Sequence, residues 1–119
     1  MRPPTDPAVP KRGEIWLVDF KPGRGSEQQG FRPALVLQND VGNKYAATTI
    51  VAAITTTIKL YPVTVFLPAR SCGLRENSMV NLAQILTLDK TRLKRKLGQL
   101  PSDSLVAVNT ALRISLALN

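Results

Sequence analysis

Seven short runs of apolar and β-branched residues, each bounded by turn residues, limit this chain to a small β fold. None of the runs is long enough to form a helix of average length, and several alternate with the period of two that is typical of strands. The predicted strands cover residues 14–20, 32–38, 49–56, 62–67, 78–82, 84–88 and 96–100. Short strands joined by turns predict a mainly β fold, either a small antiparallel barrel or a curled sheet.

Only the end of the chain has the spacing of a long helix. Leu105, Val108, Leu112 and Leu116 recur at intervals of three and four residues, and Pro101 precedes them as proline does at helix starts. A single helical turn capped by Asp89 is predicted at residues 89–93. The sequence therefore predicts a sheet covered by one C-terminal amphipathic helix.

The length of 119 residues, with a mass of 13.0 kDa, predicts one folded domain. Residues 1–10 contain four prolines and little that a core would bury, so we expect a loosely attached or disordered arm there. The domain is predicted to span residues 11–119. We find no internal repeat and no second domain in the sequence.

The charged residues and the rare residue types narrow the function. A net charge of +8 favours a polyanion or an acidic protein as partner. The chain has no histidine and one cysteine, Cys72, which argues against a zinc site, a Ser/His or Cys/His nucleophile and an intramolecular disulfide. No segment has the length and hydropathy of a signal peptide or a transmembrane helix, so a cytoplasmic protein is expected.

One stretch of the sequence is better suited to holding a phosphate than to packing. The polar loop at residues 25–31 leads into Arg32, which opens the buried run 34–37, and Pro33 biases Arg32 toward extended geometry. Thr55 ends the neighbouring run 50–54. A guanidinium donates two parallel hydrogen bonds to phosphate oxygens, and a threonine hydroxyl can add a third.

These pieces, in this order, resemble the MazF/PemK family of toxin endoribonucleases. The resemblance runs from Lys11-Arg12-Gly13-Glu14 through Gln38-Asn39-Asp40 and Gly42-Asn43 to Leu116. It implies an SH3-like barrel of the CcdB/PemK type and a toxin of a type II toxin-antitoxin module. It also implies metal-independent, sequence-specific cleavage of single-stranded messenger RNA without a cofactor, a homodimer, and inhibition by a MazE-like antitoxin whose acidic segment the basic surface would attract.

The resemblance assigns the catalytic roles to Arg32 and Thr55. Arg32 would neutralise charge on the phosphorane, and Thr55 would act beside it. Glu27 is the only carboxylate in the polar loop and is therefore the local candidate for the general base. A structural or orienting role for Glu27 is equally consistent with the sequence.

Substrate-binding residues are predicted from their places beside these strands and in the polar loop. The predicted set is Arg12, Ser26, Gln28, Phe31, Asn43, Lys44, Thr56, Lys59 and Gln84. Many relatives have a glutamate before the glutamine that matches Gln84, whereas this chain has Ala83, so base recognition is expected to differ. The basic run at residues 90–96 is interpreted as a solvated face, because such runs usually are.

Two other functions remain open from the sequence. The first is a CcdB-like toxin that binds and poisons DNA gyrase without catalysis. The second is a non-catalytic RNA-binding barrel, for which we expect salt-dependent binding and no cleavage.

Overall fold

The computed structural model describes residues 9–20 and 30–119, and these form one antiparallel sheet with two α-helices. The strands are β1 (Glu14–Asp19), β2 (Phe31–Val36), β3 (Thr48–Thr55), β4 (Thr64–Leu67), β5 (Ser78–Asp89) and β6 (Leu93–Gln99). The helices are α1 (Asp40–Tyr45) and α2 (Ser102–Leu116), and a single 3-10 turn spans Lys90–Arg92. The strand order across the sheet is β4-β5-β3-β2-β1-β6.

The mainly β prediction is confirmed, but two of the predicted runs are one strand. Residues 78–82 and 84–88 both lie in β5, which pairs along its length with β3. The pairing shifts there from Ala53↔Asn81 to Ala52↔Ile85, so residues 82–84 have no partner on β3 and form a bulge. A bulge breaks the alternation of side chains, which made one bent strand read as two straight ones.

The sheet buries apolar side chains on both faces. Leu35 belongs to the larger core beneath α2, to which the helix contributes Val108 and Ala111. The adjacent Val36 points to the opposite face and belongs to a smaller cluster with Val18, Val51 and others. Because neighbouring residues of a strand face opposite sides, the residues that share a face with Val36 lie away from α2.

A short helix occupies the place where the sequence predicts a turn. Asn39 caps α1 by accepting a hydrogen bond from Gly42 N at 2.8 Å, which is the local bonding that makes asparagine favourable at a helix start. At the other end, the buried Lys90 donates to Asn43 O at 2.6 Å. A cation at the carbonyl end of a helix is favourable, so this bond stabilises α1. The bond comes from a residue distant in sequence, so the local turn residues do not predict it.

Glu14 joins β1 to β6 through a nearly buried carboxylate. The carboxylate accepts hydrogen bonds from Lys11 N and Trp16 Nε1, both at 2.9 Å, and its second oxygen lies 3.2 Å from Lys96 Nζ. Burial by itself raises the pKa of Glu14, but these three contacts together outweigh burial and hold the pKa below its ordinary value of 4.5.

We expect this carboxylate to make folding stability acid-sensitive. Because the folded pKa of Glu14 is lowered, the unfolded chain takes up the proton first, and the stabilisation is lost as pH falls from about 4.5 through the lower folded pKa. The free energy of unfolding, measured by urea titration of Trp16 fluorescence, should exceed that of Glu14→Gln at pH 7, and the gap should close in acid. Glu76→Gln removes an exposed carboxylate and serves as the control; a gap independent of pH would contradict the assignment.

Candidate active site

A cavity of about 680 Å³ opens on the face of the sheet that lies away from α2. Three strands line it, namely β2, β3 and β5, together with the residue that follows β1. The lining residues are Phe20, Arg32, Pro33, Ala53, Ile54, Thr55, Ala83, Gln84, Ile85 and Leu86. The two sequence features that suggested phosphate binding therefore contribute to the same cavity.

The register of β2 and β3 brings Arg32 and Thr55 together. These strands pair through Ala34↔Ala53, Leu35↔Ala52 and Val36↔Val51. Continuing the same antiparallel register by two residues places Arg32 opposite Thr55, and side chains opposite each other on neighbouring strands are about 5 Å apart at Cβ. The pair lies at the end of both strands, where the backbone ladder stops and the side chains reach the cavity.

Neither functional group is fully used inside the fold. Arg32 is half-buried, and its guanidinium has no hydrogen-bond or ion-pair partner among residues 9–20 and 30–119. Thr55 Oγ1 accepts a hydrogen bond from Thr57 N at 3.1 Å, which leaves its own hydrogen available to donate. The cavity therefore holds a permanent cation with five N–H donors beside a hydroxyl donor, and an anion such as a phosphodiester suits both.

The bulge in β5 forms the opposite wall of the cavity. Asn81 Oδ1 accepts a hydrogen bond from Ala83 N at 3.0 Å, which satisfies a backbone donor that the bulge removes from the ladder. Ala83 and Gln84 are exposed on this wall. The Gln84 amide has both a donor and an acceptor and no partner within the described ranges, as a group that reads a base edge requires.

The apolar lining residues, Phe20 and Leu86 among them, were not predicted as site residues from the sequence. Phe20 is half-buried and follows β1, the strand that pairs with β2. Leu86 is 42% exposed and lies on the wall of the cavity that β5 forms. Phe20 shares the alternation of Trp16 and Val18 in β1, so the strand pattern placed it on a face but did not show that this face opens into a cavity. Apolar and aromatic side chains of this kind stack against nucleic-acid bases.

Arg12 and Asn43 are engaged in contacts that support the fold. The Arg12 guanidinium donates to Leu37 O at 2.9 Å and to Asn109 Oδ1 at 2.8 Å, which ties the start of the domain to α2. Asn43 is 1% exposed. Its amide oxygen accepts from Thr49 Oγ1 at 2.7 Å, and its nitrogen donates to Gln38 O at 2.9 Å. These contacts favour structural roles for both residues.

The remaining predicted binding residues divide between the surface and the part of the chain that is not described. Phe31, Lys44, Thr56 and Lys59 are exposed and lie outside the cavity lining. Ser26, Glu27 and Gln28 fall in residues 21–29, outside the described residues. Roles in catalysis or binding for all of these remain predictions.

The described part of the chain contains no cluster of three or more His, Cys, Asp or Glu residues that would hold a metal ion. Among the same residues, no helix is long and apolar enough to cross a membrane.

The fold and cavity define a class of protein: a single-sheet domain whose cleft combines an arginine cation with a threonine hydroxyl and therefore suits an anionic ligand. Residues 11–116 match the family model described as a PemK-like, MazF-like toxin of type II toxin-antitoxin systems. The chain belongs to this family.

Similar proteins of known identity agree with this assignment. The chain is 47% identical over 111 residues to Endoribonuclease MazF of Staphylococcus epidermidis, covering 92% of each chain. Its fold is similar to an endoribonuclease in complex with its cognate antitoxin from Mycobacterial species, with a TM-score of 0.79, 29% identity, and coverage of 92% of this chain and 97% of the other. A MazE-MazF structure from Deinococcus radiodurans gives a TM-score of 0.79 at 31% identity, covering 94% and 99%. The gyrase-poison and non-catalytic alternatives are not favoured.

Proposed function

We propose that this protein is the toxin of a type II toxin-antitoxin module and acts as a metal-independent endoribonuclease on single-stranded RNA. The observation that carries the proposal is the Arg32 guanidinium, which has no partner among residues 9–20 and 30–119, opposite the Thr55 hydroxyl in one cavity. Family membership and 47% identity to a MazF endoribonuclease support the same activity. We also propose that residues 11–119 form one toxin domain. Of the arm predicted at residues 1–10, residues 1–8 lie outside the described residues, and Pro10 is fully buried, so it packs with the domain.

Cleavage would use the 2′-hydroxyl of the RNA as nucleophile. Its oxygen forms a bond to phosphorus and loses its proton, while the bond from phosphorus to the 5′-oxygen breaks and that oxygen gains a proton. The products are a 2′,3′-cyclic phosphate and a 5′-hydroxyl. Arg32 would donate two hydrogen bonds to the non-bridging oxygens as negative charge builds on the phosphorane, and Thr55 would donate a third. Glu27 is the candidate to accept the 2′-hydroxyl proton.

The cavity walls favour a single strand as substrate. Base edges in an A-form duplex are hard for side chains to reach, whereas a splayed strand exposes them. Gln84 offers hydrogen bonds to a base edge, and Phe20 and Leu86 offer apolar surfaces for stacking. Since Ala83 provides no polar group beside Gln84, we propose that Gln84 carries the hydrogen-bond recognition on this wall.

The partners follow from the same family relation. We propose that a MazE-like antitoxin inhibits the protein, attracted by the net charge of +8, because related toxins are found in MazE complexes. We propose a homodimer that works in the cytoplasm. Large apolar side chains left exposed on α2, including Val106 at 64% and Ile114 at 52%, are consistent with association between copies.

Thr55→Val tests the hydroxyl donor directly, because valine keeps the β-branched shape and removes the hydrogen bond. Hydrogen bonds to charged groups contribute about 1.5–3 kcal/mol, so we expect kcat/KM for RNA cleavage to fall about 30-fold. Thr55→Ser retains the hydroxyl and should stay within about threefold of wild type. Thermal melting checks that loss of the bond to Thr57 N leaves the fold intact; equal activity of the valine and serine variants would exclude the proposed role.

A further inference from the structure

The cavity wall that carries Gln84 is held by a residue that does not line the cavity. Asn81 is half-buried on β5, and it pairs with Ala53 of β3 on one side and with Thr64 of β4 on the other. Opposite residues of neighbouring strands share a face of the sheet, so Asn81 lies on the same face as the lining residue Ala53. Asn81 itself is not one of the lining residues, so its effect on a bound ligand would pass through another residue.

After Asn81, the chain leaves the ladder with β3 and projects two exposed residues. Leu82 is fully buried, and its N–H donates at 2.8 Å to the carbonyl of the residue before β4, so β5 is still attached on that side. Ile85 is paired with β3 again. Ala83 and Gln84 lie between these two attachments, and both are exposed and line the cavity. We call these two residues the projecting segment.

One side-chain hydrogen bond fixes the projecting segment. Asn81 Oδ1 accepts from Ala83 N at 3.0 Å, two residues along the chain, as in an Asx turn. Asparagine forms this turn readily, because its amide oxygen takes the place of a backbone carbonyl. No other side chain of residues 9–20 and 30–119 makes a hydrogen bond to the projecting segment. The direction in which the chain leaves the sheet, and with it the position of the Gln84 amide, therefore depends on Asn81.

We propose that Asn81 is a positioning residue for base recognition: its bond to Ala83 N holds Gln84 where the amide reads one base of the RNA. This inference rests on the proposed endoribonuclease function and on Gln84 as the recognising group. An amide that is ordered only when RNA binds loses conformational entropy at that moment, which weakens its contribution to binding. Asn81 provides the order in advance. It therefore sharpens the choice of base, whereas phosphate binding by Arg32 and Thr55 does not depend on it.

Variants at two positions separate this role from a general contribution to folding. Asn81→Ala removes the acceptor, and water can take its place because Ala83 is exposed. Asn81→Asp keeps an oxygen that accepts the same hydrogen bond and serves as the rescue variant. Asn77→Ala is the matched control. Asn77 Oδ1 accepts from Ala69 N at 2.8 Å, which is the same kind of bond in the turn before β5, and neither residue lines the cavity.

Discrimination is measured as the ratio of kcat/KM for the preferred base to kcat/KM for each other base at one position of the RNA. That position is the one whose preference Gln84→Ala removes. A base read by hydrogen bonds is typically favoured about 10- to 100-fold, and Asn81→Ala should reduce the ratio to about threefold or less. Preferences at other positions should stay as in wild type. Asn81→Asp should keep the ratio, because its added charge affects every base alike and cancels. Asn77→Ala should match wild type.

A double-mutant cycle shows whether Asn81 acts through Gln84. Asn81→Ala/Gln84→Ala should discriminate no worse than Gln84→Ala alone, because both changes remove the same interaction. Hydrogen exchange of the Ala83 amide is a readout that needs no RNA. It should be faster in Asn81→Ala than in wild type and should be slow again in Asn81→Asp.

Three results would overturn the proposal. The first is an unchanged discrimination ratio in Asn81→Ala, whether or not kcat/KM falls for all bases together, which would leave the bond a role in folding alone. The second is an additive loss in the double variant, which would show that Asn81 acts independently of Gln84. The third is unchanged discrimination at every position in Gln84→Ala, which would remove the group through which Asn81 acts. Absence of cleavage by wild type would instead refute the endoribonuclease function, so the two failures are distinguishable.

Discussion

Arg32→Ala is expected to lower kcat/KM for RNA cleavage about 1,000-fold, the loss typical when a cation that stabilises a phosphoryl transition state is removed. The reason lies in the cavity: Arg32 is the lining residue that carries a permanent charge, and its guanidinium is not occupied by any described residue. Because the guanidinium makes no hydrogen bond or ion pair with the described residues, it contributes little to the free energy of unfolding. The variant should therefore melt near the wild-type temperature. Initial rates on a single-stranded RNA measure the loss.

The conservative variant separates charge from geometry. Arg32→Lys keeps the positive charge but loses the planar pair of donors, so we expect a loss of about 100-fold. Arg113→Ala, on the exposed surface of α2, removes the same charge and should cleave normally. Near-normal cleavage by Arg32→Lys would contradict bidentate binding of the phosphate, and an equal loss in Arg113→Ala would show that only net charge matters.

Gly98→Ala is expected to destabilise the fold by about 3 kcal/mol or more, because the added methyl group would overlap backbone atoms, which cannot move aside as a flexible side chain can. The turn between β4 and β5 packs here directly on β6. A Cβ at Gly98 would lie 2.1 Å from Cys72 O, and a Cβ at Gly73 would lie 1.9 Å from Leu97 O. This approach joins the turn beside one edge of the sheet to the strand at the other edge, so it contributes to closing the sheet on itself.

Two other glycines provide comparison variants that separate the cost of the clash from the cost of backbone strain. Gly13 has φ of +92° but would bring a Cβ only to ordinary contact, 3.7 Å from Leu105 Cδ2, so Gly13→Ala isolates the backbone cost of about 1–2 kcal/mol. Gly73 combines φ of +82° with the clash, so Gly73→Ala should be the least stable of the three. Urea unfolding followed by Trp16 fluorescence gives the order. Equal stabilities of Gly98→Ala and Gly13→Ala would contradict the close approach of the turn to β6.

The sequence predicted the strand regions, apart from the division of β5 into two, because hydrophobic alternation records which face of a strand is buried. It also placed α2 and the 3-10 turn capped by Asp89. Of the predicted apolar face of α2, Val108 is buried but Leu116 is 53% exposed, and the buried Ala111 was not in the predicted set. Arg32 and Thr55 were selected from their positions at strand ends and from the family resemblance. Their convergence depends on the register of β2 with β3, which only the structure provides.

Features that depend on long-range contacts were not predictable. α1 replaces a predicted turn because Lys90, distant in sequence, holds Asn43 O, and the same network buries Asn43. The bulge at residues 82–84 depends on how β5 pairs with β3. Local sequence patterns therefore could not predict that this bulge and Phe20 line the same cavity. Sequence periodicity reports burial, whereas a cavity is defined by residues from several strands.

The most direct test of the proposed function is incubation of the purified, antitoxin-free protein with a long single-stranded RNA in excess EDTA, followed by mapping of the new ends. Arg32→Ala is assayed in parallel. Metal-independent transphosphorylation predicts discrete cuts at one short shared sequence, 2′,3′-cyclic phosphate and 5′-hydroxyl ends, and loss of the cuts in the variant. Intact RNA with folded wild-type protein, or cuts that persist in Arg32→Ala, would contradict the proposal.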